Sequence, residues 1–466
     1  MNAQMQSGTA LKILHIIPRF IGGGPERSLL AFVAQERVVG TANRHAVVIL
    51  DVPVSLHMLV AARKLGVELV IRPERDALTR LIEETDIVQI HFWNHPAMAT
   101  LLRTLAFPPA RVVVWSHVLG IHAPQVLTED VVLFGDRLVV TSRRTLGSAG
   151  ARHARQHDIP IHYVPGVADM SRLDGFVPRQ HDGICVGYIG VVNETKMHPR
   201  FAEMSAAIRA PEIRFVVCGG GGGEAHLRSR FSALGMADRV AIRGVIENIR
   251  EALEKFDIFG YPLADDTYAT SEKALQEAMW VGVPPVVFPH GGLRDLVENE
   301  RTGLVVTTEQ GYSDAIERLA HDTGLRCRLG EEARRFARAE FEPARWSRVS
   351  NELLRAMMDE PPRTREPCPG AGDSAAANFV RSLGDQAGPF ATALTEPVEA
   401  SRRRAAANEQ IAAASRLLAN GEGGVAHYCN AFPDDPDLRF WASLISEAAA
   451  RRRAAHQETR SPSGPV

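Results

Sequence analysis

The sequence predicts an α/β protein of two doubly wound domains facing a cleft, followed by a helical C-terminal extension. Three observations carry that reading. Short β-branched runs alternate with helical stretches from Lys12 to about residue 360, the order that places helices on both faces of a parallel sheet. The alternation restarts at Gly183, so one architecture occurs twice without a repeated sequence. Beyond Glu360 the strand-like runs stop, and Pro, Gly, Ala and Arg dominate.

Taken in order, "KILHII" (12–17) is a buried first strand. "IGGGPERSLLAFVAQE" then gives glycines and an amphipathic helix with Leu29, Leu30, Phe32 and Val33 on its apolar side. "HAVVIL", "DIVQIHF", "RVVVWSH" and "DRLVVTS" are further strands, and "HYVPG" closes the first half. The second half opens on "GICVGYIG" and continues through "IRFVVCGGGGG", "VAIRGV", "FDIFGYP", "VPPVVFP" and "RTGLVV", with helices between. The helical "LGEEARRFARAEF" and "EPARWSRVSNELLRAMM" end it. The resulting division is 1–170, 171–345, a cross-over helix at 346–360 that packs back on the first domain, a linker at 361–377, and two or three Ala/Arg-rich helices in 378–466 with a disordered end.

Composition narrows the function. The 466 residues carry a formal charge of −2, so no basic excess exists to neutralise nucleic-acid phosphates. Five cysteines without a C-x-x-C pair argue against a disulfide framework and for a reducing compartment. No apolar run approaches a bilayer span, and a cytoplasmic location is expected.

Four glycine-bearing turns sit at strand ends: 22–24, 190, 219–223 and 291–292. Glycine lets backbone approach a ligand, and amides at a helix start attract an anion. The run at 219–223 is a poor dinucleotide fingerprint, because Glu224 stands where a third glycine is needed. "TSEKALQEAM" is more specific: Thr270 or Ser271 can cap a helix whose free amides suit a phosphate, and Glu277 two turns on can accept from ribose hydroxyls.

"SEKALQEAMWVGVPPVV" resembles the E-A-M-A-x-G-x-P-V-V signature of retaining GT-B glycosyltransferases, the glycogen-synthase-like "glycosyl transferases group 1". "IPRFIGGGPERSLL", "VGYIGVVNETKMHP", "HGGLRDLVENERTGLVV" and "FEPARWSRVSNELL" resemble the family's other motifs, in the right order over about residues 11–358. The resemblance implies two Rossmann-like domains, the first on the acceptor side and the second on the nucleotide-sugar side. It implies a sugar moved from a nucleotide donor, a UDP- or GDP-sugar, to a hydroxyl acceptor (glycan or lipid-linked) with retention and without metal or other cofactor. In residues, Lys196 would stabilise the departing diphosphate, amides around Ser271 and Glu272 would meet phosphates, and Glu277 would hold the ribose. His117 would lie near the reacting sugar carbon, Gly23 and Gly24 would close over the donor, and Gly190 and Gly292 would approach it.

Two positions depart from the family. Ala269 replaces the glutamate eight residues before Glu277, for which Glu272, Asp265 or Asp266 could substitute, and Val191 replaces an arginine five residues before Lys196. They motivate an alternative, a catalytically impaired sugar-nucleotide-binding or scaffold protein. Asp435-Pro436-Asp437 reads as a helix start rather than a metal motif. The pairs His91/His95 and His153/His157 read as ordinary histidines, and the basic stretch 142–157 as a solvated helix face, with peripheral contact at an anionic inner membrane face or a phosphate-bearing acceptor as the alternative.

Overall fold

The computed structural model describes residues 9–52, 54–395 and 402–458 of the protein. The first sheet runs β3-β2-β1-β4-β6-β7-β8, with β1 Lys12–Ile17, β2 Arg44–Ile49, β3 Glu68–Ile71, β4 Ile87–Phe92, β6 Val112–Ser116, β7 Arg137–Val140 and β8 Ile161–Tyr163. All its pairings are parallel. β5 Phe107–Ala110 lies outside it. The second sheet, also parallel, runs β11-β10-β9-β12-β13-β14, from β9 Ile184–Ile189, β10 Ile213–Cys218, β11 Val240–Gly244, β12 Ile258–Tyr261, β13 Pro285–Val287 and β14 Leu304–Val305. Strands such as β4 and β6 are buried along their whole length, which is why they read as unbroken apolar runs rather than alternations. Each sheet reverses strand order once, beside β1/β4 and beside β9/β12, and the carboxyl ends there open on the same cleft.

β3 and β8 were not legible as strands. β3 sits at the sheet edge with two exposed and two half-buried side chains, and β8 has three residues. The helix Pro343–Ala356 crosses back to the first sheet. It packs on the first helix, Gly24–Val39, and Asn351 accepts a hydrogen bond from Asn43 at 2.9 Å.

The stretch expected as a linker is partly ordered structure. β15 Arg363–Arg365 pairs antiparallel with β5, and the buried Arg365 bonds Asp136, Phe134 O and Ala110 O. The extension then holds six helices among the described residues, more than the two or three expected. Its core joins Phe379, Phe390, Tyr428 and Trp441 in ring contacts 5.0–6.1 Å apart. It docks on the first domain's helix Pro96–Thr104 through Ala99, and the Tyr428 hydroxyl bonds Asn94 at 2.9 Å. Arg416 also reaches Glu194 of the second half at 3.0 Å. Asp435 caps the last helix, which starts at Pro436, as its sequence suggests. That helix runs to Glu458, so it takes in Gln457 and Glu458, the first two residues of the end expected to be disordered (457–466), while 459–466 lie outside the described residues. Among the described residues no helix is long and apolar enough to cross a membrane.

Candidate functional site

The cleft encloses a cavity of about 410 Å³, within the range of small-molecule sites. From the first sheet come Arg19 and Gly22–Arg27 after β1, Trp93 after β4 and His117 after β6. From the second come Gly190 and Val191 after β9, Gly219 and Gly220 after β10, Lys196, and the segment Tyr268–Ala274.

His117, Lys196, Gly23, Gly24, Gly190, Ser271 and Glu272 all line this one cavity. Glu277 and Gly292 do not. The Glu277 side chain is fully buried behind the wall, ion-paired to Arg27 and Arg172, with Oε2 unpartnered. Gly292 sits where a Cβ would meet the Thr270 carbonyl oxygen at 2.1 Å, so it serves close backbone packing.

The helix expected to begin at Thr270 or Ser271 begins at Lys273, with Glu272 at its cap position and no side-chain cap. The Ser271 hydroxyl is spent on Gly166 O. Lys273 Nζ bonds Gly166 O at 2.5 Å and Ser271 O at 2.8 Å, holding the first turn with a cation. Burial pulls this ammonium down to about 7. Sequence reasoning missed Lys273. The available signal was a lysine in the first helical turn, where the macrodipole disfavours positive charge.

Glu272, one of the substitutes for the glutamate missing at Ala269, lines the cavity and is already engaged. It pairs with Lys196 at 2.7 Å and accepts from the Tyr261 hydroxyl at 2.6 Å. Burial works against both charges, but Lys196 holds Glu272 below, and Glu272 holds Lys196 above, their ordinary values. Asp265 and Asp266, the other two substitutes considered, do not line the cavity. Beside Val191, Arg27 and Lys273 supply further positive charge.

The extension contributes Glu422 to the same wall. Its carboxylate accepts from Trp93 Nε1 at 2.6 Å and pairs with Arg19 at 2.7 Å, while Gln125 bonds its backbone oxygen at 2.6 Å. Burial raises this carboxyl group. Glu26, under the glycine loop, is raised to about 7 by burial, and its Oε2 has no partner.

The remaining candidates have local roles. His91 lies in β4, whereas His95 caps the helix Pro96–Thr104 and meets His427 edge-on. His153 and His157 both face Glu129, at 3.7 and 3.0 Å. The basic stretch is a largely solvated face, as expected: Arg143, Arg152 and Arg155 are exposed, the first lying over Tyr163 and the other two bonding local carbonyls, and the half-buried Arg144 reaches Gly291 O at 3.1 Å across the two halves.

Residues 172–336 match the family model "Glycosyl transferases group 1". The chain is 26% identical to a D-inositol 3-phosphate glycosyltransferase of Salinispora arenicola, over 48% of this chain and 55% of that protein. It is also 26% identical to a GDP-mannose-dependent alpha-mannosyltransferase of Mycolicibacterium smegmatis, over 51% and 66%. The chain thus spans between about half and two thirds of these relatives' lengths. Among solved structures, Anabaena HepE in complex with UDP superposes with a TM-score of 0.59 at 16% identity, over 74% of this chain and all of that one. That likeness is one of fold: two parallel Rossmann-like sheets in the GT-B arrangement, with the helical region appended.

Proposed function

We propose that the protein is a glycosyltransferase that moves a sugar from a nucleoside diphosphate donor to a hydroxyl acceptor with retention of configuration. The carrying observation is the set Lys196, Lys273 and Arg27 around one cavity at the carboxyl ends of both sheets. The charges of Lys196 and Arg27, held by Glu272 and Glu277, favour a diphosphate as its leaving bond breaks because they need no reorganisation as the anion develops, and Lys273, lowered to about 7 by burial, gains its charge as the diphosphate arrives. The family match over residues 172–336 supports the same reading. In this scheme the bond from the anomeric carbon to phosphate breaks and the acceptor oxygen bonds on the same face. The acceptor proton leaves on the departing phosphate oxygen. His117 faces the sugar, and the wall of Arg19, Trp93, Gln125 and Glu422 faces the acceptor.

The donor is a UDP- or GDP-sugar in this proposal. Relatives include a GDP-mannose-dependent enzyme, and a structure of the same fold holds UDP. The test is a panel of UDP-, GDP-, ADP- and TDP-sugars read by thermal shift, with release of free sugar followed for each hit. Stabilisation by one nucleotide series with slow sugar release is expected. No shift with any donor at millimolar concentration would overturn the proposal.

A further inference from the structure

Three buried histidines and the half-buried His117 form a hydrogen-bonded staircase across the first sheet. His45 Nδ1 lies 3.0 Å from His15 Nε2, His15 Nδ1 3.0 Å from His91 Nε2, and His91 Nδ1 2.8 Å from His117 Nε2. Register explains the line. His45 pairs opposite Ile13, His15 opposite Gln89, and His91 opposite Trp115. Each successive histidine therefore sits two residues further along its strand on the same face, and the last reaches the carboxyl edge at the cleft. At the other end, His45 Nε2 meets Glu36 Oε2 at 2.5 Å.

The direction of the chain can be deduced from its anchor. The Leu11 backbone N–H donates to Asn43 Oδ1, so the Asn43 amide nitrogen must point to Glu36 Oε1 and donate to it. A Glu36 carboxylate between two donors obliges His45 to donate from Nε2. In a neutral His45 one nitrogen donates and the other accepts, so with Nε2 donating to Glu36 its Nδ1 accepts from His15 Nε2, and the same choice passes to His91 and His117; a cationic His45 would instead donate from Nδ1 and reverse the chain. Burial disfavours the cationic form of His15, His91 and His117, which keeps them one-donor rings. The neighbours facing the chain are Gln89 beside His15 and the Lys273 ammonium toward His117.

We infer that Glu36, through three imidazoles, holds His117 as the Nε2–H tautomer with an unprotonated Nδ1 available to a substrate hydroxyl in the cleft. Glu36 is thus a positioning residue that touches no substrate. Nδ1 of His117 has no hydrogen-bond partner among the described residues. What meets that nitrogen rests on the proposed sugar-transfer reading, whereas the tautomer does not, so the two can fail separately.

The experiment is long-range ¹⁵N–¹H correlation of histidine rings in the full, unliganded chain, assigned through His117→Gln and His91→Phe. All four rings are expected as Nε2–H. Glu36→Gln should reverse them: Asn43 still donates to the new amide oxygen, and the new NH₂ donates to His45, so every ring becomes Nδ1–H. Sugar release by Glu36→Gln should fall about tenfold in kcat/KM, the scale of one hydrogen bond, and Glu36→Asp should restore the wild-type tautomer. His117 found as Nδ1–H in the wild type, or unchanged in Glu36→Gln, would overturn the inference. If Glu36→Gln fails to fold, the wild-type spectrum and His91→Phe decide. In His91→Phe, His117 should become a mixture of tautomers, and a retained pure Nε2–H form would show that Glu36 does not set it.

Discussion

At the scale of single residues, the cleft is governed by cations whose partners are themselves buried. Lys196 is held charged by Glu272 at 2.7 Å, and an arriving diphosphate competes for the same ammonium. Lys196→Ala is expected to lower sugar release by about 10²–10³ while leaving the melting transition close to wild type; wild-type turnover would remove it from the chemistry. Lys273 makes a different prediction. Its folded value of about 7 lies below the ordinary lysine value, so at pH 8 the free protein holds it mostly neutral. A bound diphosphate favours the ammonium, so binding should take up a proton at pH 8, and the uptake should fade below pH 7 where Lys273 is already charged. Calorimetry in buffers of different ionisation enthalpy reads this directly. The stability sign agrees: between about 7 and 10.5 the unfolded chain carries the proton and the folded one does not, so stability rises with pH there.

At the scale of elements, the glycine-rich turn after β10 is fixed by backbone crowding. Gly219 has φ +138, and a Cβ there would lie 1.8 Å from Gly190 O. Gly219→Ala should cost about 1–3 kcal/mol or more, as overpacking against backbone does, seen as a lower denaturant midpoint. The strand–helix alternation and both central strands of each sheet were legible because full burial demands β-branched runs. The beginning of the helix Lys273–Val281 was not legible, because Ser271 bonds Gly166, a residue over a hundred positions away, instead of capping its own helix. Glu277 shows the same limit. A sequence motif shows its spacing, but Arg27 and Arg172 converge on that carboxylate from two distant segments. The histidine staircase was hidden for a related reason: residues 15, 45, 91 and 117 become neighbours only once strand order and register are known.

At the scale of the whole molecule, the C-terminal extension belongs to the first half of the cleft. Trp441 is fully buried at the centre of its core. Trp441→Ala should cost about 3–5 kcal/mol, and amide exchange should rise across 375–395 and 402–451 and also at Trp93 and Gln125, which hold Glu422. Faster exchange confined to the extension would show that it does not support the cleft wall. The extension also touches the opposite half through Arg416 and Glu194, 3.0 Å apart with about half of each side chain exposed. A pair so placed is worth about 0–1 kcal/mol and weakens as salt rises. Under the proposed sugar transfer such a pair would act as a light latch between the two halves of the cleft. Ionic strength then becomes a control on gating: added salt should speed product escape more than it alters the chemical step, and one exposed pair on the appended helices would tune how readily the two halves part.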